Sequence, residues 1–548
     1  MKNIIPILTS WRAPAALAVT LLFSTAPSAN AELFSTAGGI LEWTNAANWT
    51  PSTVPNAVGA SAIFNDCAAE TFVSLAGSSN TAGITIGSLT FNQNITGNLS
   101  RIWITNGVND GPLRFNNGGS GVTIITTGAG NASAPPFLAF NLTIAPVVFQ
   151  DTVTVNAQNE IARTDDGNIA FKGFISGPGG FIKEGTSLAG FSALMSGGVG
   201  STVLAGGQKS YSGPTVINAG RMRMSVEGAP TNTSSITVNT GAQFDITSGG
   251  TVRFGPGPLI LNGRGAIEGP YTSSAGAMRN ERGTAITNIV ILNDVVLASD
   301  TLIHIQSLNN TGNTPSPKGT NTLAGTVSGP GMLEFTAPGS NPDAGVLILN
   351  GHNTYSGGTL VNGGILEARG ALATFGTTNV TVDNAQATAG SARISIASGV
   401  LDAIDDSATL FLNASTSGTG FPSGYAILGD GVNEYVAALN LDGVAQALGT
   451  YGSSASSAVN QSDIYWQGTG IVTVGVRPPS LTITLAGPNV IISWPTNNSA
   501  GYTLEQTPNL NSPITWSPVT QPVIVSGANN TVTVPVAAGN VFYRLRKP

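Results

Sequence analysis

The sequence predicts an all-β protein: a right-handed parallel β-solenoid (β-helix) followed by a small C-terminal β-sandwich of the fibronectin-III or immunoglobulin type. Charged residues make up only 9% of the 548 positions, and glycine occupies 70 of them, whereas ordinary globular proteins contain roughly 25% charged residues. Short aliphatic runs alternate with Gly, Asn and Pro turns, and no helical pattern suits a βαβ crossover. A duplicated segment indicates a structure built by repetition.

The clearest unit spans residues 346–368, V-L-I-L-N-G-H-N-T-Y-S-G-G-T-L-V-N-G-G-I-L-E-A. Its aliphatic runs predict three very short strands over 346–349, 359–361 and 365–368. The Gly and Asn residues between them supply the positive φ angles that tight turns require. Such spacing is incompatible with a helix.

The same pattern occurs about 144 positions earlier, in residues 205–224. The residues in register are Gly207, Tyr211, Ser212, Gly213, Thr215, Asn218 and Gly220 in the first copy, and Gly351, Tyr355, Ser356, Gly357, Thr359, Asn362 and Gly364 in the second. An S-G-P-G stretch precedes each copy, at 176–179 and 328–331. A solenoid accommodates such units because stacked coils use up one another's strand edges. We expect these residues to be structural, with the turn asparagines Asn218 and Asn362 stacked in ladders. A series of sandwiches or a propeller would require longer alternating strands and hairpins.

Residues 1–31 are typical of a secretory signal peptide. Lys2 and Arg12 flank the start of an apolar stretch, and residues 29–31, A-N-A, form a cleavage motif. We therefore expect an exported protein, secreted or held at the cell surface, with no membrane span after signal removal. Beyond the signal, we expect residues 32–140 to form a β-rich cap and the start of the solenoid. Residues 141–476 would form the repeat solenoid, 477–480 a stiff Arg-Pro-Pro linker, and 481–548 the sandwich.

The C-terminal segment predicts about six strands with polar turns. Trp494 and Trp516 are candidates for its core. Near the N-terminus, Trp43 and Trp49 allow two interpretations: an aromatic platform that contacts a glycan, or large side chains that plug the open end of the β-stack. Trp103 is a further candidate for glycan contact.

The tract N-G-H-N-T-Y-S-G-G-T-L-V-N-G-G-I-L resembles the autotransporter-associated beta-strand repeat, also called the passenger-associated transport repeat, of bacterial surface proteins. The likeness is most specific over 345–368 and looser over 201–224. It implies a secreted β-solenoid at, or released from, the cell surface, without shared catalytic residues. Better-known members end in a translocator barrel. Here we expect none, because the last 68 residues are too few and end in a basic segment.

The sequence offers no catalytic, cofactor or metal constellation. The residues considered were His304 and His352, the doublets Asp165-Asp166 and Asp405-Asp406, and the single cysteine, Cys67. The histidines lie in different halves of the chain. Adjacent aspartates on a strand would point to opposite faces, so neither doublet is a two-carboxylate site alone. Cys67 has no nearby histidine and cannot form an internal disulfide.

The preferred functional hypothesis is a non-catalytic secreted or cell-surface protein with a structural or adhesive role. Its partner would be the cell envelope, or an extracellular polysaccharide or protein. The net charge of −7 and the lack of a basic run argue against nucleic acid. The alternatives are a polysaccharide lyase or glycosidase on a β-helix scaffold, which needs charged residues of successive coils to converge on one face, and a glycan-binding protein.

Overall fold

The computed structural model describes residues 31–34, 39–65, 71–75, 82–92, 101–106, 110–127, 140–143, 145–157, 169–185, 188–191, 208–247, 249–266, 276–280, 288–305, 319–337, 345–383, 392–416 and 422–547. The expected signal peptide up to residue 30, Cys67, the Asp165-Asp166 doublet and Gly207 lie outside these ranges. Within them, the only helical element is the 3-10 turn Ala46–Asn48, and all other regular elements are strands. The predicted all-β class is confirmed.

The chain winds through coils of two or three short strands, and most strands pair in parallel with their equivalents in neighbouring coils. We name the three ladders faces 1, 2 and 3. Face 1 comprises Ala31–Phe34, Ser61–Phe64, Ser88–Asn92, Val122–Thr127, Val153–Ala157, Phe181–Glu184, Thr215–Ile217, Ile236–Val238, Leu259–Gly263, the first part of Val295–Ile305, and Val327–Ser328.

Face 2 comprises Gly39–Glu42, Thr71–Ser74, Arg101–Thr105, Phe140–Thr143, Ile169–Phe171, Leu188–Phe191, Gly220–Ser225, Ala242–Thr247, Met278–Asn280, the second part of Val295–Ile305, Leu333–Thr336, Thr359–Val361, Val380–Val382, Thr409–Leu412 and Ala438–Leu441. Face 3 is divided into two sheets. They contain Ile84–Ile86, Leu113–Phe115, Val147–Phe149 and Ile175–Ser176, and then Gly250–Val252, Asn288–Ile291, Thr320–Leu323, Val346–Leu349, Ile365–Ala368, Arg393–Ile396, Tyr425–Leu428 and Trp466–Gly468. The predicted parallel solenoid is confirmed.

The interior is one continuous apolar core that runs through all coils. Because side chains alternate along a strand, every second residue points inward. Val153 and Val155 are fully buried, for example, while Thr154 between them is half-buried on the outside. Parallel in-register pairing then places one buried residue above another, as in Phe64 and Phe91, whose rings stack at 5.5 Å. The core pattern of each strand therefore sets its register with the next coil.

Antiparallel elements mark the two ends of the solenoid. Trp49–Thr50 pairs antiparallel with Ala31–Phe34 at the first coil. At the last coil, Gly449–Gly452 pairs antiparallel with Ile471–Val474, in a sheet that also contains Asn433–Val436 and Asn460–Gln461. Two small antiparallel pairs, Val444–Ala445 with Ala438–Leu441 and Ser415–Thr416 with Pro422–Ser423, complete this region.

The C-terminal segment forms two antiparallel sheets, as expected for a sandwich. One contains Thr482–Ala486, Asn489–Pro495, Asn529–Pro535 and Ile524–Ser526, and the other Ser517–Pro518, Thr503–Thr507 and Phe542–Arg546. Trp494 belongs to their shared core. Trp516 does not: it is half-buried beneath Arg544, whose guanidinium carbon lies 4.2 Å from the ring centroid. The prediction of Trp516 as a core residue is wrong, because cation–π packing holds the ring at the surface.

Candidate functional site

The two repeat tyrosines are buried inside the solenoid. The hydroxyl groups of Tyr211 and Thr215 lie 2.5 Å apart, and those of Tyr355 and Thr359 lie 2.6 Å apart. All four side chains are buried. A buried phenol needs a hydrogen-bond partner, so the spacing Y-S-G-x-T supplies one four residues later. Burial raises the pKa of both phenols well above the usual range, and neither can act as an acid or base near neutral pH.

Each Y-S-G turn lies directly on an S-G-P-G turn of the preceding coil. The Ser212 amide donates to the Gly177 carbonyl, and the Ser356 amide to the Gly329 carbonyl, both at 3.0 Å. A Cβ atom on Gly213 would come within 2.4 Å of the Gly180 nitrogen. The same atom on Gly357 would lie 2.2 Å from the Met332 nitrogen. Glycine is required at these two positions because the backbones of successive coils touch.

The repeat asparagines bridge coils through their side chains. Asn218 Nδ2 donates to Glu184 Oε1 at 2.5 Å, and Asn239 Nδ2 donates to Asn218 Oδ1 at 2.6 Å. Asn362 Nδ2 donates to Glu334 Oε1 at 2.8 Å. Both asparagines thus donate to a carboxylate of a neighbouring coil, and Asn218 also accepts from Asn239, which makes a short ladder along face 1. Just beyond them, Gly220 and Gly364 adopt positive φ angles of 63° and 78° at the corners.

The two copies occupy different corners of the coil. In the first, Lys209 bridges to Ile175 on face 3, and Thr215–Ile217 lies on face 1. In the second, the Thr354 amide donates to Val327 on face 1, and Thr359–Val361 lies on face 2. The duplicated unit has thus been rotated by one face. Its residues therefore define a corner structure and not a fixed site on the molecule.

Two buried lysines donate hydrogen bonds to backbone carbonyls of the coils. Lys183 Nζ donates to the carbonyls of Glu184, Gly185 and Ala219 at 2.6, 2.7 and 3.2 Å. Lys209 Nζ donates to the Gly173 carbonyl at 2.7 Å. Burial lowers the pKa of each to about 7. A lowered lysine pKa can mark a catalytic base, but both side chains are fully buried and cannot reach a substrate.

Trp43 and Trp49 plug the N-terminal end of the solenoid. They are 0% and 2% exposed, and their rings lie 5.0 Å apart next to Phe34 and Phe64. Trp43 Nε1 donates to the Pro55 carbonyl and Trp49 Nε1 to the Trp43 carbonyl. The prediction of glycan contact through these rings is therefore corrected: their faces are covered by other aromatic groups, and their N–H groups are occupied.

Trp103 lies on the outer side of face 2 and is half-buried. Its ring stacks on Phe72 in the preceding coil, with centroids 5.7 Å apart and planes 18° apart. Lys172 Nζ lies 6.0 Å from its centroid. Stacking along the solenoid axis covers a face of the indole that a sugar ring would need, so this pair serves to join coils.

Charged residues of successive coils do converge on the outer side of face 2. The register places Arg223, Asp245, Arg279 and His304 in one row. Arg221 Nε lies 3.1 Å from Asp245 Oδ2, and Gln243 Nε2 donates to Asp245 Oδ1 at 2.6 Å. Asp245 and Gln243 are completely buried, and Arg279 is 3% exposed. Burial, followed by the Arg279 charge, lowers the pKa of His304 to about 3, so its imidazole is neutral.

A cluster of acidic residues lies near the C-terminal end of the solenoid. Glu434 is fully buried, and its carboxylate accepts hydrogen bonds from the Ala403 and Ile404 amides. Burial raises its pKa to about 7. Asp406 pairs with Arg477, whereas Asp405 accepts from the Ser407 amide and hydroxyl. The Asp405-Asp406 doublet is thus divided between two structural roles.

Among the described residues, no three His, Cys, Asp or Glu side chains are grouped so that they could hold a metal ion. Nor does any helix in those ranges have the length and apolar character to cross a membrane. His352 is exposed in the turn before Tyr355. The repeat residues that the structure describes are brought together by coil stacking.

Comparison with known proteins gives one family match. A family model described as Passenger-associated-transport-repeat matches residues 197–224 and 343–368. These segments contain Tyr211 and Tyr355. They also contain Gly213 and Gly357, which contact the backbone of the preceding coil. No curated protein and no solved structure matches the chain.

Proposed function

We propose that this chain, which carries two passenger-associated-transport repeats, is a non-catalytic structural or adhesive protein that acts outside the cell or on its surface. The observation that supports this most is the use of the repeat side chains: Tyr211 and Tyr355 bind threonines within their own turns, and Gly213 and Gly357 seat one coil on another. The repeats therefore supply rigidity and length, which an extended scaffold requires.

The buried ionisable groups support the same proposal. Lys183, Lys209 and Glu434 have shifted pKa values, which often indicate active sites. Each of them is instead completely enclosed and hydrogen-bonded to backbone groups. Their shifts follow from burial in a β-stack, and they offer no group to a substrate.

The partner is proposed to be an extracellular polysaccharide or an envelope component. Purified residues 32–548 would be incubated with a panel of neutral and acidic polysaccharides. We expect retention on at least one polymer, with no release of reducing or unsaturated ends. Retention with cleavage would contradict a non-catalytic role. Failure to bind any polymer would contradict the glycan-adhesive form of the proposal and point to protein partners.

One observation bears on a carbohydrate-active alternative: the row of Arg223, Asp245, Arg279 and His304 on consecutive coils of face 2, in which Arg223 and His304 are half-buried and Asp245 and Arg279 are buried. A polysaccharide enzyme on a solenoid needs charged groups in such an arrangement. If the preparation cleaves a polymer, His304→Gln should abolish cleavage directly, and Asp245→Asn should do so through the loss of its ion pair with Arg221, while retention persists. The matched control Asp430→Asn changes an acid at a turn on another coil, and it should have no effect.

A further inference from the structure

The residue that ends the solenoid, Arg477, is fastened to the last coils by several contacts. Its Nε lies 2.8 and 2.9 Å from the two carboxylate oxygens of Asp406, and its Nη2 lies 2.5 Å from Asp402 Oδ1. The guanidinium carbon lies 4.7 Å from the ring centroid of Tyr435. A planar cation that binds two carboxylates and an aromatic face is held in one orientation.

The carboxylates that bind Arg477 are themselves held in place by neighbouring elements of the solenoid. Asp402 and Asp406 lie in the turn before Thr409–Leu412, and buried Glu434 accepts hydrogen bonds from the Ala403 and Ile404 amides of that turn. Glu434 and Tyr435 belong to Asn433–Val436, which pairs with Ile471–Val474, the strand that leads to Arg477. Three adjacent elements of the solenoid therefore form one preorganised anionic socket.

Only residues 478–481 separate Arg477 from the first strand of the sandwich, Thr482–Ala486, and two of them are prolines, which restrict the backbone. We propose that Arg477 is an electrostatic latch that holds the C-terminal sandwich in a fixed direction relative to the solenoid and releases it when the socket carboxylates are neutralised. The latch is a conformational device that does not depend on the ligand or the activity of the protein.

The charges around Arg477 set the pH dependence of the latch. Asp402, Asp406 and Glu434 face it, Asp405 lies close to Asp402, and the ring of Tyr435 covers the guanidinium. Burial raises the pKa of Asp402, and raises that of Glu434 to about 7, while the Arg477 charge lowers both. Because Arg477 lowers them only while it is docked, release takes up protons. Acid therefore favours release, and pH values above about 7 favour the closed latch.

The test is a distance distribution between spin labels on the two parts of the full exported chain. Labels would be placed on cysteines at the exposed positions Ser454, on the solenoid end, and Ser526, on the sandwich, with Cys67→Ser in every variant. We expect one narrow distribution at about pH 8, and Arg477→Gln should broaden it at least about twofold, because the freed linker samples more orientations. Asp402→Asn with Asp406→Asn should act likewise.

The matched control is Arg369→Gln, which removes another arginine–carboxylate pair, with Glu367, on face 3; its distribution should equal that of the parent. Lowering the pH from about 8 to about 4 should broaden the parent and leave Arg477→Gln unchanged. Circular dichroism would establish that each variant is folded. An unchanged width in folded Arg477→Gln, or equal acid responses in the parent and Arg477→Gln, would overturn the proposal.

Discussion

Replacing Gly357 with alanine is expected to lower the free energy of unfolding of the solenoid by about 3 kcal/mol or more. The added methyl would lie 2.2 Å from the Met332 nitrogen and 2.3 Å from the Gly331 carbonyl carbon. Both are backbone atoms of the coil beneath, so no side chain can rotate away. The coils would have to separate at a point where the Ser356 amide and the Gly329 carbonyl are bonded at 3.0 Å.

Guanidinium unfolding followed by circular dichroism would measure this loss. The matched control is Gly319→Ala, whose methyl would meet only Ile305 Cγ2 at 3.5 Å, an ordinary contact. We expect that control to stay within about 0.5 kcal/mol of the parent. Equal stability of the two alanine variants would show that the Y-S-G turn does not rest on the preceding coil as described.

The second large effect is expected for Trp43→Ala, with a loss of about 4 kcal/mol of stability. The indole is 0% exposed and packs against Trp49 and Phe64, and its N–H donates to the Pro55 carbonyl. Removing it leaves a cavity at the point where the core would otherwise meet solvent. Because a solenoid unfolds from a weakened end, the N-terminal coils should lose protection first.

Native-state hydrogen exchange would locate this change. Trp103→Ala, at the same end but on the outer side of face 2, serves as the comparison and should lose less than half as much protection. The contrary result is a Trp43→Ala variant that is as stable as the parent but is no longer retained on polysaccharide. That result would contradict the role of Trp43 as a plug and would support the glycan platform.

Much of the fold can be predicted from the sequence because each strand is a short aliphatic run between obligatory turns. The strands at Val346–Leu349, Thr359–Val361 and Ile365–Ala368 match the prediction residue for residue. In the C-terminal segment the sequence predicts about six strands, and the two sheets contain seven. The seventh, Ser517–Pro518, is two residues long and carries no hydrophobic alternation.

Other features depend on contacts that a linear pattern does not contain. The rotation of the repeat by one face is one of these features, because a sequence match between two segments does not show which ladder each segment joins. Lys183 has the appearance of a surface residue, yet it occupies an inward position. Lys183 lies two residues after the inward-facing Phe181, so the alternation of the strand already places it inside. Predicting a buried lysine there would require knowing that its ammonium group can reach three turn carbonyls.

Among the candidate sites, too, some residues can be predicted from the sequence and others depend on contacts made only in the fold. The role of Gly213 and Gly357 follows from the repeat, whereas the socket of Arg477 does not, because Asp402 and Glu434 are distant in sequence from their partner. The row on face 2 was also missed, since Arg223, Asp245 and Arg279 become neighbours only through coil pairing. Charges that looked scattered in the sequence are thus brought together by the solenoid.

The central claim is that the repeat residues stack successive coils in a fixed register, and disulfide trapping tests it most directly. Val216 and Thr237 are paired neighbours on face 1, one coil apart, and Ile260 is the next residue in that row. Paired positions on adjacent strands meet the distance that a disulfide requires, and positions two strands apart do not. In a Cys67→Ser background, Val216→Cys with Thr237→Cys should oxidise to an intramolecular disulfide, while Val216→Cys with Ile260→Cys should remain reduced. Equal oxidation of both pairs, or oxidation of the distant pair alone, would contradict the stacked-coil account.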